Sequence, residues 1–574
     1  MFNRYYQDEL NKLKGLAGEF ALANPATAPM LSGTSADPDV ERLLEGVAFL
    51  NGLTRQKLDD QFPEFVQELT NLLFPHYLRP VPASTLIGFT AKGPRTGASR
   101  VAAGTELASV PVDGTACRFR TSCDLDVEPL RIAGVNLLSH AGTAPVLMID
   151  FEMEGGLSIA QWNGDSIRLF LSGGYVDASK LLLLLMNHVT DVRISGGSGE
   201  RLSLGAKSLR TSGFDAGLIG YPSHASSGYR TIQEFFTQPE KFLFIDIAGL
   251  ERWTANASGS SFSIVMTLDG LHGWMPELDT GSLMLNVVPA VNVFSHVADP
   301  ITHDHRATEY RVNPEGRDRR HFQVYSVDQV LGYQQGRAQE RVYQPFSMFR
   351  HDGRGAQLSY RTTLKSANVE RGSDVYLSLN YPPSETPLPE TLSIRVTCTN
   401  RALPEGLKPG DINVPTSTSP DQMSFTNIRA ITPAQDPPAG EELLWCLLSH
   451  VSLNLLSLAS AENLRKMLGL YVFNGRQGQE QSNRRRIEGI VDVTATRESR
   501  LVGRGGMQRG QLIRIRCRED HYAGIGDLYL FGCMIERFLG DYAGINAYTR
   551  VELEDTLSGT VFKWPPRLGQ QPML

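Results

Sequence analysis

An α+β multidomain protein is predicted by three textures that follow one another along the 574-residue chain. The first ~80 residues repeat apolar side chains at helical spacing. From Pro80 to about Gly440, short β-prone runs alternate with Gly, Pro, Asn and Asp, and a leucine-rich stretch then gives way to alternating strands and helix. The expected architecture is an N-terminal helical segment, sandwich- or barrel-like β-rich middle domains, and a C-terminal α+β region built on a long core helix. A chain of this length has room for about three to five domains. We place them at 1–80, at 81–240 (β-rich with a short helix), at 241–405 (a second β-rich domain) and at 441–574, with a linker at 406–440.

In the first segment, Leu10, Leu13, Ala17 and Phe20 recur at steps of three and four and share one helical face. Asp37 is an N-cap with Pro38 at the first helical position, and Val40, Leu43, Leu44, Val47 and Leu50 follow on a common stripe. A third helix is expected to begin near Pro63, carry Phe65, Val66, Leu69, Leu72 and Leu73, and end before Pro75, since a residue preceding proline is pushed out of the helical region. In the middle, Leu86–Thr90, Phe242–Ile247 and Leu392–Thr397 read as strands, whereas Leu181–Met186 reads as a buried helix too short to span a bilayer. The stretch Gly406–Gly440 is rich in Pro, Thr, Ser and Asp, the composition of a loop or hinge.

Beyond it, Glu441–Leu468 holds no Pro or Gly and carries Leu443, Leu444, Leu447, Leu448, Val451, Leu455, Leu456 and Leu458. Such a helix is covered by a core or by another chain. A strand at Leu512–Arg516, a helix at Leu528–Leu539 and a strand at Tyr548–Leu553 complete the region.

With 55 basic and 62 acidic side chains the net charge is −7, so nothing global draws the chain to nucleic acid. The six cysteines are scattered without a CxxC pair, which points to reduced thiols. A polar N-terminus and the lack of about 18 consecutive apolar residues lead us to expect a cytoplasmic chain without a membrane insertion.

No constellation carries a catalytic signature. His303-Asp304-His305, with His296 and Asp299 upstream, is the one dense set of metal-ligating residue types, and a solvated loop is the expected reading. Gly503-Arg504-Gly505-Gly506 and Gly196-Gly197-Ser198-Gly199 lack the lysine and hydroxyl of a phosphate-binding loop, and no GxSxG elbow is present. The basic runs Arg317-Asp318-Arg319-Arg320 and Arg484-Arg485-Arg486 have no interleaved aromatics, so solvated turns or contacts with acidic partners are the expected reading. We expect no catalytic residue, cofactor or metal. The alternatives are a β-rich hydrolase and a tail-fibre-like binding module.

Several runs carry a family resemblance. Tyr5-Tyr6 with Glu9-Leu10, then Ser35-Ala36-Asp37-Pro38-Asp39-Val40-Glu41-Arg42-Leu43-Leu44-Glu45, Lys57-Leu58-Asp59-Asp60-Gln61-Phe62-Pro63-Glu64 and Pro75-His76-Tyr77-Leu78-Arg79-Pro80 resemble the TssF family, also called ImpG or VasA, of type VI secretion baseplates. Phe119-Arg120-Thr121, Asn292-Val293-Phe294, Ala298-Asp299-Pro300-Ile301, Val324–Asp328, Ser449–Asn454, Phe531-Gly532, Glu536–Leu539 and Trp564-Pro565-Pro566-Arg567 continue it in order. The resemblance implies a non-enzymatic wedge subunit, two copies joining one TssG, that binds TssK and TssE around the VgrG spike and supports tube and sheath assembly. It implies a cytoplasmic complex docked at the inner-membrane machinery. Helices shared with partners are then expected to show excess apolar surface, which nominates Leu444, Leu447, Leu448, Val451, Leu455 and Leu458, with Phe531, Ile535, Phe538 and Trp564, as interface residues. One sequence in two positions also implies hinge freedom near Gly406–Gly440.

Overall fold

The computed structural model describes residues 2–26, 37–93, 97–162, 164–196, 201–222, 225–254, 257–316, 318–334, 339–346, 358–367, 372–382, 388–438, 441–451, 460–472, 477–502, 506–544 and 547–569. They form two compact units.

The smaller unit is Met1–Phe74 with Pro438–Leu447. Its helices α1 (Phe2–Ala23) and α2 (Pro38–Leu73) are antiparallel, since Lys14 pairs with Glu41 at 2.8 Å and Glu9 with Arg55 at 2.8 Å. Asp37 caps α2 as expected, its carboxylate accepting from the Asp39 N–H at 3.0 Å. Gly52 permits the close approach of α1, because a Cβ there would stand 3.2 Å from the Tyr6 backbone nitrogen. The expected third helix is corrected: α2 is one 36-residue helix that runs through Pro63. Buried residues lie on both sides of that proline, Ala48 before it and Val66 and Thr70 after it, and their packing outweighs the one hydrogen bond that a proline removes. Phe74 ends the helix, its N–H bonding the Thr70 carbonyl at 2.7 Å.

The larger unit is Pro75–Pro437 with Leu448–Leu574, and its sheets are nested. A six-stranded antiparallel sheet runs in the order Val414–Pro415, Glu106–Val112, Thr115–Thr121, Val287–Val291, Ser84–Ala91, Met423–Asn427. Ile87, Phe89, Leu107, Phe119 and Val288 form its core. Sheets of five and four strands are inserted between Thr115–Thr121 and Val287–Val291, and an eight-stranded sheet centred on Gln323–Gln334 and Glu390–Thr399 is inserted after Val291. The expected succession of domains at 81–240 and 241–405 is therefore corrected, for the first sheet takes strands from both and from 406–440 as well.

The expected linker and hinge at 406–440 is built into that sheet. Leu407, Ile412, Met423, Phe425 and Ile431 enter its core. The polar residues that resemble a linker make turns instead: the Asn427 side chain accepts from the Gly410 and Ile412 N–H groups, both at 3.0 Å, and Ser419 Oγ accepts from the Thr416 N–H at 2.9 Å.

The expected helix Glu441–Leu468 is likewise divided. A helix covers Glu441–Val451 and another Ala461–Gly469, and Ser460 between them has extended backbone (φ −119°, ψ 141°) and caps the second helix by accepting from the Asn463 N–H at 3.2 Å. Leu455, Leu456 and Leu458 lie outside the described residues. At the C-terminus, Gly506–Cys517 pairs antiparallel with Ile490–Val502 and parallel with Ala547–Asp555, the helix Ile525–Tyr542 making the crossover. Among the described residues, no helix is long and apolar enough to cross a membrane.

Candidate partner-binding surface

The apolar stripe of α2 divides into two rows. Val40 and Leu44 are half-buried and Ala48 is fully buried, a row of four-residue steps that continues to Gly52 against α1. Leu43, Val47 and Leu50 occupy the next row and stand in solvent, as do Phe49, Leu53 and Phe65. On α1, Leu10, Ala17 and Ala21 are buried, whereas Leu16, Phe20 and Leu22 are not, which removes Phe20 from the face expected of it. These nine exposed side chains retain between 43% and 85% of their accessible surface. A two-helix hairpin cannot cover both sides of itself, and these side chains are the ones it leaves exposed.

The interface residues expected from sequence fall into three groups. On Glu441–Val451, Leu447 is buried and Leu444 half-buried, whereas Trp445, Leu448 and Val451 are exposed. Leu455 and Leu458 lie outside the described residues. Phe531, Ile535 and Phe538 are corrected, being wholly buried inside their own unit, and Trp564 is half-buried and stacks on Tyr529 at 5.7 Å.

Glycines explain that burial. A Cβ at Gly526 would lie 2.3 Å from the Lys180 backbone nitrogen, so Gly526 admits the helix Tyr175–Asn187, and Gly532 admits Trp564. Asp527, fully buried, accepts from Arg486 Nε at 2.9 Å and from the Tyr175 hydroxyl at 2.6 Å. Arg567 makes a two-pronged pair with Glu536 at 2.7 and 3.0 Å. A helix apolar on most sides reads the same from sequence whether its own chain or a partner covers it.

The residues that bear chemistry are mostly engaged within the chain. His303 ends the strand Ile301–His303, packed against His305 at 4.2 Å and Tyr381 at 5.8 Å; burial and the neighbouring His305 push its pKa down. It is a buried strand residue, not part of a solvated loop. His296 bonds the Glu315 carbonyl at 2.6 Å and Asp299 pairs with Arg319 at 2.5 Å, so the cluster does not converge as a ligand set. Among the described residues, the set that does converge is His188, Asp269 and His272, of which only the Asp269/His272 spacing is local in sequence. The basic runs are paired: Arg320 with Asp318, Arg484 with Glu480, and Arg486 with Asp527, while Arg317 lies outside the described residues. Gly503–Gly505 lie outside them too.

Several of the runs that carry the family resemblance are bonded inside the larger unit. His76 and His450 both bond the Tyr471 hydroxyl, at 2.9 and 3.0 Å, and burial, reinforced by His450, depresses the His76 pKa to about 3. Asn292 Nδ2 donates to Asn400 Oδ1 at 2.9 Å while the Asn400 N–H donates back at 2.7 Å. The Tyr325 hydroxyl donates to the Gly220 carbonyl at 2.6 Å.

Comparison with known proteins agrees in extent with this end-to-end pattern. The profile of the family described as "Type VI secretion system, TssF" matches residues 1–571. The type VI secretion system component TssF1 of Pseudomonas aeruginosa is 30% identical, over 99% of this chain and 99% of its own length. Among solved structures, a chain of a TssK–TssF–TssG baseplate subcomplex determined by cryo-electron microscopy superposes with a TM-score of 0.75 at 29% identity, covering 92% of this chain and 99% of that one. A chain of the type VI secretion baseplate complex superposes with a TM-score of 0.62 at 26% identity over 100% of both.

Proposed function

We propose, because this chain belongs to the TssF family of the type VI secretion system, that it is a structural, non-enzymatic subunit of the baseplate wedge. The observation that carries the reading is the row Leu43, Val47 and Leu50, exposed on a hairpin that cannot bury it. TssG and a second copy of this chain complete a helical bundle around α1 and α2, with two copies per TssG. This moves the shared bundle from the C-terminal helices to the N-terminal hairpin, with Trp445 as a further exposed contact of the smaller unit. TssK and TssE then attach to the wedge, and wedges surround the VgrG spike to start the tube and the contractile sheath, in the cytoplasm at the inner-membrane complex. Co-expression with TssG and mass measurement of the purified complex tests the proposal. Two copies of this chain per TssG are expected; a stable, monodisperse monomer that ignores TssG would overturn it.

A further inference from the structure

We propose that His188, Asp269 and His272 form a binding site for a divalent first-row cation of the zinc type. His188 is the C-cap of the helix Tyr175–Asn187, Asp269 follows the strand Ser261–Leu268, and His272 lies in the turn beyond it. The backbone holds these positions, with the Asp269 N–H donating to the His188 carbonyl at 3.0 Å and the Met275 N–H to the His272 carbonyl at 3.1 Å.

The side chains converge on a common point. His188 Nδ1 lies 2.9 Å from one Asp269 oxygen and His272 Nε2 lies 3.0 Å from the other, and the two imidazole centroids are 4.1 Å apart. One ligand atom from each residue fits within a 4.8 Å span. Trp274 stacks on His272 at 5.3 Å and sits 5.4 Å from His188, which limits the rotation of both rings. Two imidazole nitrogens and a carboxylate oxygen are the donor types that zinc takes at roughly 2.0–2.2 Å, and atoms at that radius stand about 3 Å from one another. The side chains are 21%, 43% and 28% exposed, so an ion reaches them from solvent and water completes its shell.

On binding, the cation takes His188 Nδ1 and His272 Nε2 as donors of neutral imidazoles, so the single ring proton of each sits on the other nitrogen, His188 Nε2 and His272 Nδ1, and the two hydrogen bonds to Asp269 are given up. The ion clasps the turn after Leu268 to the end of the helix Tyr175–Asn187 and stabilises the folded chain by mass action. A hydrogen-bonded triad that takes no ion has the same contacts, and titration separates the two.

The full chain, stripped with a chelator, is titrated with Zn²⁺ by calorimetry and with Co²⁺ by absorption. One ion per chain is expected, with Zn²⁺ displacing Co²⁺ and raising the melting temperature. His188→Gln with His272→Gln should abolish this binding and the thermal shift while leaving the metal-free melting temperature close to wild type. Absence of stoichiometric binding, or unchanged binding in the double variant, overturns the site. If the double variant does not fold, His272→Gln alone, in a part-exposed turn, should weaken Zn²⁺ at least about tenfold; unchanged affinity there is equally fatal.

Discussion

The helix Ile525–Tyr542 sinks Leu528, Phe531, Ile535 and Phe538 into its own unit, whereas α1 and α2 leave Leu16, Phe20, Leu43 and Leu50 in solvent. All three helices carry long apolar rows, and the helix Ile525–Tyr542 is the most apolar of them overall. They differ too in the supply of neighbours. Gly526, Gly532 and Gly540 let another helix, Trp564 and Arg567 close on the C-terminal helix, and Asp527 and Glu536 anchor it with internal ion pairs. Among the described residues of the hairpin, Gly52 marks an intimate crossing, and Lys14–Glu41 and Arg55–Glu9 pair across the helices. A helix rich in leucine must be covered; the presence of small residues and buried charge on its other faces tells who covers it.

Substitutions in the two regions should therefore act on different quantities. The largest effect is expected from Ile535→Asp, which places a carboxylate at a fully buried position and should cost more than ~4 kcal/mol, unfolding the larger unit in a denaturant titration. A mild shift there would mean that the helix is less enclosed than its contacts require. Asp527→Asn leaves the Arg486 charge buried and uncompensated and should cost about 3 kcal/mol, measured as a lower unfolding midpoint.

Acid should also weaken the larger unit. The His76 pKa is depressed to about 3 when folded and returns to its ordinary value near 6.5 on unfolding, so between these values the unfolded chain binds a proton that the folded chain refuses. Stability is complete above 6.5 and is lost as the pH falls below it. Melting curves from pH 7.5 down to 5 should show this decline, and His76→Gln should flatten it; an unchanged slope would remove His76 from the account.

These expectations rest on features of unequal legibility. Asp37-Pro38, the strand Leu512–Arg516 and the helix around Leu528–Leu539 are set by signals within a few residues, and each appears where the sequence places it. The nesting of the sheets rests on pairings such as Ile87 with Asn427, which no local period encodes, and so 406–440 reads as a linker although it is a sheet edge. Asn427 is instructive here, because the same side chain that marks a loop by composition pins the Gly410–Ile412 turn to the strand. For the binding surface, the stripe Val40, Leu43, Leu44, Val47 and Leu50 is legible as apolar, but its division into a buried and an exposed row depends on where α1 lies. His188 and Asp269 stand far apart in the chain, so their meeting is visible in three dimensions alone.

The smallest effect on stability, and the most direct test of the docking surface, is expected from Leu43→Ser with Leu50→Ser. Both residues are exposed, so the unfolding free energy should stay within about 0.5 kcal/mol of wild type. The mass of the complex formed on co-expression with TssG is the measurement to make on this variant. A folded variant with wild-type melting that no longer assembles with TssG is the predicted result; a complex of unchanged mass and yield would contradict the assignment of the hairpin as the shared surface.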